Sequence, residues 1–199
     1  MKKFIQLFNL FNFEADQEYQ EQASTIGDNN YENQQKNINK NDKKTLVLDL
    51  DETLVHSSFV YMQNSDFQLE IFVQDIRFIV YVKKRPGCEL FLEELSKYYE
   101  IIIFTASLSE YANPVIDLID KKKVTSIRLF RENCTLYNGF FVKDLSKLER
   151  QLKDIIIIDN SENSFLFQPE NAIHILSFFE DMNDDQLYRL IPVLIFLSN

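Results

Sequence analysis

The sequence predicts an α/β fold, a doubly wound parallel sheet with a β-hairpin insertion after the first strand. Three observations carry that expectation. The runs Leu46-Val47-Leu48, Ile101-Ile102-Ile103-Phe104 and Ile155-Ile156-Ile157-Ile158 are wholly apolar, as strands covered on both faces are. Segments with apolar residues at helical spacing separate them, and strands alternating with amphipathic helices build a parallel sheet between helical layers. Between the first two runs, residues 67–73 and 77–82 alternate loosely around Gln74-Asp75-Ile76, which reads as a hairpin.

The 199 residues are 45% hydrophobic and 26% charged, with 18 Phe, 9 Tyr and no Trp. That composition suits one globular domain, at 45–199, behind a flexible Asn/Gln/Lys-rich tail at 1–44. In the tail, residues 1–13 mix two lysines with apolar and Asn/Gln residues and carry no acid before Glu14. A short amphipathic helix, a targeting segment or a frayed terminus all fit, but the stretch is too polar for a secretory core. Residues 27–44 hold eight Asn or Gln and one apolar aliphatic, Ile38, too little to offset the entropy of ordering.

Net charge is -10, and the tail holds 6 basic against 7 acidic residues, leaving about -9 for the domain. So acidic a domain is not expected to bind nucleic acid directly, because neutralising phosphates needs basic surface. The longest wholly apolar run, 190–197, is eight residues interrupted by Pro192, and no transmembrane segment is expected. Cys88 and Cys134 form no C-x-x-C pair; they read as free packing thiols of a reducing compartment.

Within the domain, Arg85-Pro86-Gly87 breaks the chain and shapes a strand-to-helix turn. A helix is expected over 89–99, with Leu90, Phe91, Leu95 and Tyr98 on one face. The second apolar strand, 101–104, ends at Thr105-Ala106-Ser107. A helix over 109–120 follows, with Tyr111, Val115, Ile116 and Ile119 inward and Pro114 in or near its first turn. A strand at 127–130 precedes Asn138-Gly139, a hairpin turn signal. A short helix is expected at 145–152, the third apolar strand at 155–158, and a fourth strand at 172–176. A helix over 184–197 closes the chain, with Leu187, Leu190, Ile191 and Leu194 facing the core, its Phe/Ile stripe buried and a bend at Pro192. There is no internal repeat.

The three apolar strands end in polar clusters, Asp49/Asp51, Thr105/Ser107 and Asp159/Asn160. Ligands of open parallel sheets sit at the carboxyl ends of strands, so these clusters should converge. Asp49 and Asp51, two residues apart at a strand end, fall on one side and close enough to share a cation. A carboxylate nucleophile, a second carboxyl for proton traffic and a Mg²⁺ on oxygen ligands are the parts of phosphoryl transfer through an aspartyl-phosphate. A lysine and a hydroxyl would complete the clamp on the phosphoryl oxygens. His56 and His174 have no paired acid at catalytic spacing and read as structural.

At these residues the chain resembles the haloacid dehalogenase superfamily. Within it, the chain is similar to the small RNA polymerase II C-terminal-domain phosphatases and their Dullard-like, NLI-interacting-factor-like relatives. The pattern D-x-D-x-T stands as Asp49-Leu50-Asp51-Glu52-Thr53, and the second-motif hydroxyl as Thr105. The third-motif lysine is Lys143, after Asn138-Gly139, and the last acidic motif is Asp159-Asn160-Ser161. Lys84-Arg85-Pro86 and Leu129-Phe130-Arg131-Glu132 also fit, so the likeness runs over 45–199. One departure is Ser177-Phe178-Phe179, where the family has Ser-Trp-Phe.

The resemblance implies a Rossmann-like, haloacid dehalogenase-like fold. It gives Asp49 the role of nucleophile and Mg²⁺ ligand, and Asp51 that of general acid/base with its main-chain carbonyl as second ligand. Asn160 is the third ligand and Asp159 acts through metal-bound water. Thr105 and Lys143 contact the phosphoryl group and nucleophile, and Arg131 helps on the substrate phosphate. The insertion at 59–82 and its surroundings supply a small apolar substrate pocket of Phe59, Ile71, Val73, Val80, Leu108 and Tyr111.

The expected function is a Mg²⁺-dependent protein serine/threonine phosphatase. Its substrate would be a phosphorylated protein or peptide, with the RNA polymerase II C-terminal domain as candidate. A monomer, nuclear or cytoplasmic, is expected. One alternative is a non-catalytic presequence receptor of the mitochondrial inner-membrane translocase type, which would place the chain in mitochondria; its first aspartate motif is degraded, whereas this one is intact. The other is a small-metabolite phosphatase on the same fold.

Overall fold

The computed structural model describes residues 43–73 and 76–198; residues 1–42 of the expected tail at 1–44, Gln74, Asp75 and Asn199 lie outside the described residues. Five strands form the central sheet: β1 (Lys44–Leu48), β5 (Tyr99–Phe104), β6 (Thr125–Leu129), β9 (Ile155–Asp159) and β10 (Ala172–His174). Their order is β10-β9-β1-β5-β6, and each neighbouring pair is parallel. From β1 the chain winds outward through β5 to β6, then returns across β1 to β9 and β10. Its direction therefore reverses between β1 and β9, which opens a crevice at the carboxyl ends of those two strands.

The apolar runs are uniform because both sheet faces are covered. Leu46 and Leu48 share one core cluster with Ile101, Ile103 and three helices, α1 (Cys88–Leu95), α2 (Ser109–Ile119) and α3 (Gln186–Leu197). Val47, Ile102 and Ile157, of opposite facing, are buried as well. This is the expected α/β architecture.

The insertion is larger than a hairpin. Strands β3 (Phe67–Val73) and β4 (Ile76–Lys84) pair as expected, but β2 (Val55–Ser58) adds to the other edge of β4, giving an antiparallel order β2-β4-β3. The segment VHSS has no alternation to announce it, and the unpaired edge of β4 recruits it.

Helix α1 ends four residues before the expected boundary, because Tyr99 already pairs with Lys44 in the sheet. Its buried face is Cys88, Phe91, Leu92 and Leu95, whereas Leu90 is 46% and Tyr98 38% exposed. It starts at Gly87 with φ 83°, where a Cβ would stand 2.9 Å from the Tyr188 ring. Glycine is therefore required both for the backbone angle and for the approach of α3.

In α2 the expected inward face is correct, and Pro114 is the sixth helical residue, just past the first turn as expected. Expected helix 145–152 is two 3₁₀ turns, Leu145–Leu148 and Leu152–Asp154. Asp144 caps the first by accepting from the Ser146 N–H, and Glu149 at φ 53° stops it. Strands β7 (Thr135–Tyr137) and β8 (Phe140–Val142) flank Asn138-Gly139, whose φ values of 49° and 81° make the expected tight turn. β10 stops at His174, short of the expected 176. In α3, Leu187 and Leu194 are buried and Leu190 and Ile191 partly so, but Phe196 is 78% exposed, so the stripe is not wholly core.

Candidate active site

The loop after β1 carries both first-motif acids. The Asp49 N–H still donates to Ile158 O at 3.0 Å, so this residue extends the sheet beside β9. The chain then turns: Leu54 and Val55 N–H both donate to Leu50 O, at 2.9 and 3.1 Å, with Glu52 at φ 60°. Behind the turn, Arg85 is fully buried and ion-paired to Asp184 at 2.7 Å. Its remaining N–H groups donate to Thr53 O (3.1 Å) and Leu176 O (2.9 Å). The strand-to-helix arginine thus fastens the acid-bearing loop to the segment before α3.

Lys143 reaches the crevice from just past β8, held by its N–H donating to Ser164 O at 2.7 Å. Its ammonium lies 2.5 Å from Asp49 Oδ1 and 2.5 Å from Asp159 Oδ2, and it is 1% exposed. Burial alone would lower the lysine pKa, but the charges of Asp159 and Asp49 more than offset it, so Lys143 is cationic. One cation does not neutralise two acids. Burial, followed by the Asp159 and Asp51 charges, pushes Asp49 up to about 8 against the pull of Lys143. Without a further cation Asp49 therefore keeps its proton near neutrality, and the trio turns negative only as pH climbs through about 8.

Asp51 has a different setting. Its Oδ2 accepts from Ser107 Oγ at 2.7 Å and, at 3.5 Å, from Thr105 Oγ1; its Oδ1 accepts from the Tyr111 hydroxyl. Burial, then the Glu52 charge, raises Asp51 to about 6, while the Tyr111 and Ser107 hydrogen bonds oppose the rise. Burial and the Asp51 charge keep the Tyr111 phenol well above its ordinary range, so it remains a hydroxyl. Thr105 is fixed by donating its N–H to Leu129 O at 2.9 Å, and its Oγ1 accepts the Ser107 N–H at 3.0 Å.

The donors fit a hard divalent cation. Among the described residues no three His, Cys, Asp or Glu side chains are grouped into a closed cage. The second Asp49 oxygen, Oδ2, accepts no hydrogen bond there, and a cation beside it would hold Asp49 ionised. Asn160 stands across the crevice, its Oδ1 3.4 Å from Thr53 Oγ1 and its Nδ2 donating to Ser177 Oγ at 2.9 Å. A carboxylate, a carbonyl and an amide oxygen are the partial, oxygen-only set that Mg²⁺ accepts. Asp159 is oriented by the Ser161 N–H on its Oδ1 at 2.8 Å.

Arg131 is buried, donates from Nε to Ala106 O at 2.7 Å, and stacks its guanidinium 5.1 Å over the Phe141 ring. It is thereby tied to the loop between Thr105 and Ser107. Of the expected apolar pocket, Ile71 and Val80 lie inside the main core cluster, and Phe59 and Val73 pack against it half-buried. Phe59 sets its ring edge-on to Phe78 at 5.9 Å. Leu108, half-buried, immediately precedes α2, and Tyr111 is buried with its hydroxyl on Asp51.

His56 contacts Glu52 at 3.1 Å, and His174 Nε2 lies 3.0 Å from Asn160 O. Burial pushes both thiols, Cys88 and Cys134, up to about 12, far from nucleophilic thiolates.

Sequence reasoning missed the hydroxyl side of Tyr111, the part played by Ser57 behind it, and Thr53 beside Asn160. Helical spacing does not announce the meeting of Ser107 and Tyr111, because Ser107 precedes the extended N-cap Leu108 and lies outside α2.

The model of NLI interacting factor-like phosphatases matches residues 44–199. Phosphatase PSR1 of Saccharomyces cerevisiae is 51% identical over 156 residues, 78% of this chain and 36% of that protein. The CTD small phosphatase-like protein of Homo sapiens is 49% identical over 150 residues, 75% of this chain and 54% of that one. The chain thus spans about a third to a half of the curated relatives it matches. The solved structure of Fcp1, described as an essential RNA polymerase II CTD phosphatase, shares the fold at a TM-score of 0.57. It is 20% identical and covers 77% of this chain and 49% of that one.

Proposed function

Because this chain belongs to the NLI interacting factor-like phosphatase family, we propose that it is a Mg²⁺-dependent phosphatase of phosphoserine or phosphothreonine in proteins. The observation that carries this reading is the meeting of Asp49, Lys143 and Asp159 in one buried trio beside a separately held Asp51.

The residues divide the chemistry. Asp49, whose free oxygen faces the crevice, attacks phosphorus and forms an acyl-phosphate. The phosphorus–oxygen bond to the serine breaks with its electron pair on the leaving oxygen, which takes a proton from Asp51. In the second half Asp51 takes a proton from water as that water attacks the same phosphorus, and the Asp49 carboxylate is released. Lys143 fixes Asp49 and offsets charge on the phosphoryl oxygens, with Thr105 and Arg131 on the opposite flank. Asp49, the Asp51 carbonyl and Asn160, with Asp159 behind them, would hold a Mg²⁺, which would supply further neutralisation of that charge.

The relatives named for the polymerase C-terminal domain and the apolar residues of the insertion support a peptide substrate, with that repeat as the candidate. The test is release of phosphate from a phosphopeptide panel and from para-nitrophenyl phosphate, with and without Mg²⁺, beside Asp49→Asn. Metal-dependent turnover of phosphoserine peptides that vanishes in the variant is expected. Turnover of small phosphates alone would point to a metabolite phosphatase, and none at all would favour a binding protein.

A further inference from the structure

Among the described residues the Asp51 carboxyl accepts hydrogen bonds from hydroxyls alone. Ser107 Oγ holds Oδ2 at 2.7 Å, and the Tyr111 hydroxyl holds Oδ1. That phenol is itself 2.6 Å from Ser57 Oγ, so a second hydroxyl stands directly behind the first. The two come from different layers, Tyr111 from the first turns of α2 and Ser57 from β2, where it pairs with Val82.

A group that gives a proton in one half of a reaction and takes one in the other changes what it needs from its neighbours. Ionised, a carboxylate only accepts; protonated, one oxygen must donate. An ammonium or a backbone N–H can satisfy only the first form. A pair of hydroxyls can satisfy both by turning their protons, Ser57 to Tyr111 to Asp51 in one form and the reverse in the other. The carboxyl then keeps its rotamer throughout.

Resting on the phosphatase reading above, we infer that Tyr111, backed by Ser57, is a positioning residue that holds the Asp51 carboxyl on the leaving-group oxygen through both halves of the reaction. The ring contributes apolar surface; the hydroxyl contributes aim. A residue in the apolar pocket thus also orients the acid.

Tyr111→Phe keeps the ring and removes only the hydroxyl; Ser57→Ala removes the backing. Both are made in the full chain with Mg²⁺ and followed by rapid quench with a labelled phosphoserine peptide and with para-nitrophenyl phosphate. Tyr111→Phe should lower kcat on the peptide by about 10- to 100-fold, a share of the ~10²–10⁴ a general acid supplies. Its peptide KM should stay within about twofold, because uniform binding is kept. Phosphorylation by para-nitrophenyl phosphate should fall several-fold less, since nitrophenolate leaves without a proton. Phospho-enzyme should then accumulate, because the same carboxyl is misaimed for the second half. Ser57→Ala should show the same pattern with smaller losses.

Equal slowing of phosphorylation by both substrates, a rise in peptide KM alone, or wild-type rates throughout would overturn the inference. If Tyr111→Phe fails to fold, the pattern in Ser57→Ala decides it. A wild-type chain that forms no acyl-phosphate defeats the phosphatase reading itself. One that forms it while both variants behave as wild type defeats only the role given to Tyr111.

Discussion

The two acids of the first motif are two residues apart in the chain, yet Asp49 is surrounded by ions and Asp51 by hydroxyls. Asp49 shares one ammonium with Asp159, both at 2.5 Å, so its energy depends on charges that cannot leave. Asp51 rests on Ser107 and Tyr111, neutral groups that turn rather than ionise. Like residues two positions apart thereby suit unlike tasks. On the proposed reading, the ionic setting would suit a fixed nucleophile completed by a cation, and the hydroxyl setting a carboxyl free to exchange a proton. Spacing in the sequence brings the acids together; neighbours from distant strands make them different.

The strongest way to break the ionic side is Asp49→Asn. Turnover should fall below detection, and phosphate release within tenfold of wild type would remove this nucleophile. The variant's fold should gain on wild type as pH rises. Asp49 titrates near 8 in the folded chain against 3.8 in its ordinary state. Its raised value favours folding fully below the unfolded pKa, and that contribution is lost as pH climbs through about 8. Urea unfolding of metal-free protein should therefore show Asp49→Asn gaining on wild type between pH 4 and pH 8.

Lys143→Met acts in the opposite sense on the same trio. Removing the ammonium leaves the buried Asp159 carboxylate without its cation and should cost about 3–5 kcal/mol near neutrality. The loss should grow as pH climbs through about 8, where Asp49 gives up its proton beside it. A pH-independent loss would mean that packing, not charge, is what the lysine provides.

On the hydroxyl side, Asp51→Asn should slow phosphoserine peptides by about 10²–10⁴ and activated esters less. Wild-type kcat on the peptide should decline as pH rises through about 6, where Asp51 loses the proton it must give. With para-nitrophenyl phosphate that limb should be weak, and in Asp51→Asn absent. An unchanged limb in the variant would assign the titration elsewhere.

Mg²⁺ gives the smallest effect. At about 100 times its dissociation constant it should stabilise the fold by ~2.7 kcal/mol, more at pH 8 than at pH 5, since protons compete for Asp49. Calorimetry with and without the ion measures this. Equal stabilisation of Asp49→Asn would place the cation elsewhere.

Much of the ionic side was legible in the sequence. Apolar runs marked β1, β5 and β9, and polar residues at their carboxyl ends must converge in a parallel sheet, as Asp49, Thr105 and Asp159 do. Lys143 was legible through the Asn138-Gly139 turn and the family pattern. The hydroxyl side was less so. Tyr111 lies on the inward face of α2, and periodicity cannot tell a ring that fills space from one that also aims its hydroxyl. β2 was hidden because an edge strand is recruited by its partner, and VHSS has no period of its own. The end of α1 was misplaced because Tyr98 and Tyr99 continue a helical pattern until sheet pairing claims Tyr99. The 3₁₀ turns after Asp144 depend on one side-chain cap and one left-handed residue, local choices that hydrophobic spacing does not report.

The Arg85–Asp184 pair has a consequence for the order in which the molecule comes into being. The arginine that pins the Thr53 carbonyl has its counter-ion 99 residues further along. A guanidinium cannot be sealed from water without its partner. While the chain is being made, the loop bearing Asp49 and Asp51 stays unpinned even after the strands on either side have emerged. The sheet can form before that loop is fastened, which waits for the segment that brings Asp184.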